Sequence, residues 1–395
     1  MQSSVILSGV LDEDLLRKSI NYLVARHASL RTVYRVARSG LEQVVLPFEP
    51  APLTIHTCEK ISVNELISNL RNIPFDLARG PLFRPDLIRI GVEESILTFT
   101  MHHIAVDGPS VNLLYRDLSV AYDSYLTGDE PQLAPAPNPI EYNNRQNLND
   151  LAKEIAYWER ALAGAPECSL AVDHDVDRRA NDSYAISSKI PASVLGQLAA
   201  VARSHRSSTY IVLLALYAVL LGEHSGTTDM VIAMPVTGRL HRDVDELVGY
   251  LVNFVPVRIQ YSPSDNLSGI IELARESCLA ASENAALPFE RIVAVSKVAR
   301  SSSRSPLAQT LLNQPPAVGV PRFGGLVVDR WIAKYAATRL ELECHVLRYQ
   351  GDTEFLLLGA QDLFEYETIE ELSREFVGIM DRWSTRPEKA VRKIL

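Results

Sequence analysis

His102-His103-Ile104-Ala105-Val106-Asp107-Gly108 is the stretch on which the reading turns. It follows Glu94-Ser95-Ile96-Leu97-Thr98-Phe99-Thr100-Met101, where Leu97, Phe99 and Met101 recur at period two, as on a strand. A strand continued through the histidines turns His103 to the Leu97/Phe99/Met101 side and His102 to the other, so only one imidazole looks into a given cleft. Pro109-Ser110 and the apolar-periodic run from Val111 to Leu126 start a helix just after Gly108. A histidine then lies close to a helix N-terminus, where outward-pointing N–H groups and a proton acceptor suit a developing oxyanion. Two plainer readings compete: a structural histidine, and a metal site, since His and Asp both ligate. Adjacent strand histidines diverge and no other His/Cys cluster is near in sequence, so no metal is expected.

Working outward, the chain has 395 residues, more than one hydrophobic core normally organises, so two lobes are expected. An apolar content of 47% with 22% charged residues is that of an ordinary globular protein. A net charge of −9 with no Lys/Arg block argues against nucleic acid as a partner. Cys58, Cys168, Cys278 and Cys344 lie far apart without a CxxC, which points to a reducing, cytoplasmic setting. No secretory signal opens the chain, and the longest apolar run, Ile211 to Leu221, is too short for a bilayer; no membrane association is expected. GxGxxG, a P-loop, HExxH and GxSxG are absent, which argues against dinucleotide, triphosphate or serine acyl-enzyme chemistry.

Along the chain, Ser3 to Val10 is strand-like, and Asp12 caps a helix with Leu15, Leu16, Ile20, Leu23 and Val24 on one face. A hairpin, Val33 to Ala37 and Leu41 to Leu46, turns at Ser39-Gly40. Val63 to Leu70 is helical, and Leu87 to Ile90 is a strand beside the one carrying His103. Thr127 to Pro139 holds four prolines and marks the lobe boundary, dividing 1–138 from 139–395. Then come a long helix from Asn144 to Leu162, a strand from Tyr184 to Ile190, and helices 192–205 and 209–222. A strand from Asp229 to Met234, the Glu246-to-Arg258 segment and a helix from Leu267 to Ala285 follow. Strands 340–347 and 354–360 and a helix from Glu367 to Trp383 close the chain, giving two α/β lobes that each contain a mixed sheet with helices.

Several stretches together resemble a condensation domain of nonribosomal peptide synthetases, in the chloramphenicol-acetyltransferase-like superfamily. They are Arg26-His27-Ala28-Ser29-Leu30-Arg31-Thr32, Met101 to Ser110, Val248-Gly249-Tyr250-Leu251-Val252-Asn253-Phe254-Val255-Pro256-Val257-Arg258, Leu287-Pro288-Phe289-Glu290, Arg300 to Gln309 and Asp362 to Ile369. The resemblance covers nearly the whole chain in the family's order. It implies lobes arranged as a V around a central tunnel, and carrier proteins that bring a donor acyl or peptidyl thioester and an acceptor amine on phosphopantetheine arms. It implies no bound cofactor, and adjacent synthetase domains are possible partners. An opening family segment with a Ser/Gln-containing motif is expected to be missing before residue 1. Pro109 stands where the family commonly has tryptophan, Pro139-Ile140-Glu141-Tyr142 keeps part of a tyrosine-rich motif, and the heterocyclising aspartate motif is absent.

By the same resemblance His103 is the catalytic base and His102 a structural neighbour facing away. Asp107 fixes the turn by pairing with an arginine, Arg26 first and Arg258 second. Gly108 lets backbone or ligand approach closely. Asn253, Arg258 and Ser110 are tunnel-lining candidates. The implied reaction is amide formation. An ester-forming acyltransferase, an epimerase-type domain and a non-catalytic docking domain that recruits a partner enzyme are the alternatives. The chain's acidity implies that any carrier docks on a local patch.

Overall fold

The structure is a computed structural model, and it describes residues 1–38, 40–145, 151–166, 170–174, 176, 182–239, 244–298, 304–317, 319–331, 338–349, 352–386 and 388–389; the side chains of 143–145 and 349 are left aside. The chain forms two compact units, and neither is a continuous stretch. The first comprises Met1–Asn147, Arg239–Val252 and Val318–Tyr335, the second Leu148–Gly238, Asn253–Ala317 and Ala336–Leu395. One boundary at 138/139 therefore does not describe the division. Two later segments return to the first unit, and one of them carries a strand of its sheet.

The first unit is built on β1 (Gln2–Ser8), β4 (Thr54–Thr57), β5 (Phe83–Arg89), β6 (Glu94–Met101) and β11 (Val327–Trp331), in the order β11-β1-β6-β5-β4. β6 lies inside the sheet, antiparallel to β1 and β5, and both of its faces are buried. Leu97, Phe99 and Met101 meet the core made with α1 (Glu13–Arg26) and α3 (Gly108–Leu126), through Leu16, Ile20, Leu23, Leu114 and Leu118. Ile96 turns the other way, to Val63 and Ile67 of α2 (Val63–Asn72). Burying each such side chain contributes roughly 1.5–3 kcal/mol. Asp12 caps α1 as expected, accepting from the amides of Asp14 and Leu15 at 3.0 Å. The hairpin β2 (Thr32–Ala37) and β3 (Gly40–Val45) forms a separate two-stranded sheet.

The second unit has a six-stranded sheet of β7 (Ser183–Lys189), β8 (Asp229–Val236), β9 (Asn253–Gln260), β10 (Thr310–Asn313), β12 (Leu342–Tyr349) and β13 (Asp352–Ala360), in the order β7-β13-β12-β10-β8-β9. β10 runs parallel to β8 and β12, and the other pairings are antiparallel. The apolar run 211–221 lies in the helix Thr209–Ser225, buried from Val212 to Gly222. No single helix among the described residues is long and apolar enough to cross a membrane. Gly222 is required there: a Cβ would stand 2.1 Å from Tyr261 Oη. The long helix expected over 144–162 is instead two shorter ones, α4 (Pro139–Arg145), in the first unit, and α5 (Ala152–Ala161). Leu151, with φ −117° and ψ 26°, caps α5 outside the helical region, and residues 146–150 lie outside the described set. Trp158 is buried, its Nε1 donating to Asn284 O at 3.0 Å.

Candidate functional site

β6 stops at Met101, and the two histidines sit in the turn beyond it, closed by Ala105 N donating to His102 O at 3.0 Å. The strand alternation assumed from sequence therefore does not orient them. The rings part all the same. His102 lies edge-on to Phe75, 5.9 Å between centroids, and its Nδ1 accepts from Ile104 N at 3.2 Å. His103 lies edge-on to Tyr250 at 5.3 Å, with its Nδ1 2.8 Å from Val106 O. A carbonyl only accepts, so Nδ1 carries the proton and the basic lone pair belongs to Nε2. The His103 side chain is half-buried.

What holds this turn is Asp107, completely buried at the N-cap of α3. Oδ1 accepts from Ser110 N (3.0 Å) and Arg239 Nη2 (3.0 Å), and it lies 2.6 Å from Ser110 Oγ. Oδ2 accepts from Arg239 Nη1 (2.7 Å) and Leu251 N (3.1 Å). Ser110 Oγ also accepts from Gly249 N at 3.0 Å. The arginine expected for Asp107 was Arg26 or Arg258; the structure supplies Arg239, from 132 residues on. With its side chain only 8% exposed, Arg239 makes a bidentate pair that also reaches Leu247 O at 3.0 Å. Breaking such a buried pair on one side strands a charge, at about 3–5 kcal/mol.

Arg26 belongs to a different aspartate. Its Nε donates to Asp117 Oδ2 at 2.7 Å, beside His27 Nε2 at 2.9 Å, while Arg116 holds Oδ1. Burial alone would raise the Asp117 carboxyl, but these donors outweigh it and hold it at about 2. Burial pushes His27 down, against the pull of Asp117, so its neutral form is favoured. Arg116 continues the network to Glu246, whose carboxyl it lowers.

The three tunnel-lining candidates each make defined contacts within their own unit. Ser110 is fully buried and locks Asp107. Asn253 donates to Ala285 O and Leu287 O, both at 2.9 Å, and accepts from Phe289 N, so it staples a loop of the second unit. Arg258 pairs with Asp229 at 2.7 Å and donates to Ala163 O. Gly108 opens α3 as expected, and a Cβ placed on it would meet nothing within 4 Å. Packing therefore leaves room beside it. The helix N-terminus offers less to an oxyanion than anticipated, because Pro109 has no N–H and Ser110 N is held by Asp107. Sequence reasoning missed Arg239 and Tyr250. Tyr250 lay inside a quoted motif, whereas nothing in local spacing marks Arg239.

A family model described as a condensation domain matches residues 1–395. Among curated relatives, a dimodular nonribosomal peptide synthase of Bacillus subtilis (strain 168) is 32% identical over 412 residues, covering 98% of this chain and 17% of its own length. The chain thus spans only a small part of such relatives. Among solved structures, the X-domain from teicoplanin biosynthesis matches with a TM-score of 0.90 and 23% identity, over 99% of this chain and 91% of that one; it is also known in complex with OxyB. The first condensation domain of the CDA synthetase matches with a TM-score of 0.84 at 18% identity, over 99% and 92%. These likenesses concern the fold.

Proposed function

The chain belongs to the condensation-domain family of nonribosomal peptide synthetases, and on that premise we propose that it joins a carrier-borne acyl or peptidyl thioester to a carrier-borne acceptor amine, forming an amide. The observation that carries the reading is His103: a half-buried imidazole whose Nδ1 is fixed on Val106 O, on a turn anchored by the buried Asp107–Arg239 pair. Its Nε2 is the base. The amine nitrogen attacks the thioester carbonyl carbon, and the carbonyl oxygen takes the negative charge. His103 Nε2 removes a proton from the nitrogen. Collapse breaks the C–S bond, the imidazolium returns its proton to the leaving sulfur, and an amide and a free thiol result.

An α-amino group titrates near 8, so much of the acceptor is already neutral at pH 7–8. The base then adds roughly 10²–10⁴ in rate, and the positioning of two tethered substrates supplies much of the rest. Both substrates ride on the phosphopantetheine arms of carrier proteins in this reading, and the chain needs no bound cofactor. Asp107, Arg239 and Ser110 are positioning residues that act through the turn.

A docking domain that recruits a partner protein is the second reading, and the fold likeness to the X-domain supports it. Loaded donor and acceptor carriers mixed with the protein, followed by intact-mass measurement of both, separate the two. Transfer of the donor group to the acceptor carrier is expected. Carriers that keep their original masses would favour docking.

A further inference from the structure

Two hollows of the first unit share Tyr34, Gln43, Ile104 and Tyr250 among their walls, and so form one cleft. The outer part is bordered by Leu41 and Ile140. The hairpin can furnish this wall because Tyr34 pairs with Gln43 and Val36 with Leu41, which puts the four on one face. The inner part is a hollow of about 40 Å³, with Ser29, Thr32 and Tyr142 among the residues that line it. The mouth sets Leu41, Ile104 and Ile140 beside the polar Glu42 and Gln43, and the interior carries several hydroxyls.

Ser29 is the residue that needs explaining. It is 3% exposed, and its Oγ has no hydrogen-bond partner. Its neighbours differ: Thr32 Oγ1 donates to Ala28 O at 2.9 Å, and Tyr34 Oη to Ile104 O at 3.2 Å. Buried hydroxyls are nearly always bonded, and Ser29 is among the residues that line the inner hollow. Tyr250, present in both walls, stands edge-on to the His103 ring, which lines neither hollow.

We infer that this cleft receives the acyl substituent of a carrier-borne substrate, an apolar body against Tyr34, Ile104 and Tyr250 ending in a hydrogen-bonding group at Ser29. Amide, hydroxyl and carbonyl ends share this chemistry. The inference rests on His103 being the reaction centre, because that brings a substrate carbonyl beside Tyr250. Ser29 is then a specificity-determining residue for what is joined.

The test is titration calorimetry of the full chain with stable 2-oxoalkyl pantetheine thioethers, graded in length and ending in either a carboxamide or a branched alkyl group of the same shape. Versions with and without an amine next to the carbonyl separate acceptor from donor. At one length the wild type is expected to bind the carboxamide end about three- to tenfold more tightly, the value of one net hydrogen bond. Ser29→Ala loses that preference and binds the alkyl end as before, while His103→Ala keeps the preference. Equal binding of both ends at every length, binding of neither, or a preference that survives Ser29→Ala overturns the inference. So does a crystal soaked with the carboxamide probe that shows water alone beside Ser29. A protein that forms no amide yet discriminates the ends retains the subsite and loses the proposed activity. One that forms amide without discriminating loses the subsite alone.

Discussion

Asp107 and Asp117 lie on one helix, the first as its cap and the second within it, and both are completely buried. Each is held by arginine, yet the donors come from different places. Asp117 draws on Arg26, His27 and Arg116, which belong to or directly follow the two helices it joins. Asp107 draws on Ser110 beside it and on Arg239 and Leu251 from far along the chain. The first arrangement ties two helices together. The second ties a distant segment to the turn that presents His103, so fold and proposed chemistry share one ion pair.

The largest effect expected is at that pair. Arg239→Ala and Asp107→Ala should each lower the urea unfolding free energy by about 3–5 kcal/mol, and the double variant by much less than their sum. A cost for Arg239→Ala that falls within the scatter of surface substitutions would dissolve the contrast between the two aspartates. Asp117 comes next. Its carboxyl is held at about 2 against an ordinary value of 3.8, so the stability it adds is fully present above pH 4 and fades as pH falls toward 2. That loss should amount to about 2 kcal/mol in denaturant titrations, and Asp117→Asn should flatten it.

Gly108→Ala sharpens the comparison from the site's side. A methyl group there meets open space, so stability should change by less than about 0.5 kcal/mol. Amide formation should fall about tenfold or more if substrate passes this point. The smallest effect is at His27, whose folded-state pKa is lowered by burial. Its contribution is full above its ordinary value of 6.5 and is lost as pH falls below it. His27→Gln should remove that slope from unfolding midpoints measured between pH 7.5 and 5.5.

Much of this was legible in sequence because it is local. The Leu97/Phe99/Met101 row, the Asp12 cap of α1 and the start of α3 at Gly108 follow from periodicity and capping alone. The family resemblance supplied His103 as the residue to examine. Arg239 was not legible, because a buried carboxylate needs a cation but spacing does not say which of several arginines arrives. Arg26 and Arg258 each answer to another aspartate. β4 and β11 escaped for a related reason: edge strands of four and five residues carry too little alternation, and their partners define them. Ser29 gave no signal either, since an unbonded hydroxyl exists only once the fold has closed around it.

In the proposed reaction the imidazole of His103 does the chemistry, whereas Asp107 holds it in place. Single-turnover transfer between loaded carriers, measured for wild type and His103→Ala beside their unfolding curves, tests it most directly. His103→Ala is expected to lower the rate by roughly 10²–10⁴ with an unchanged unfolding midpoint. Equal rates in the two proteins would contradict it.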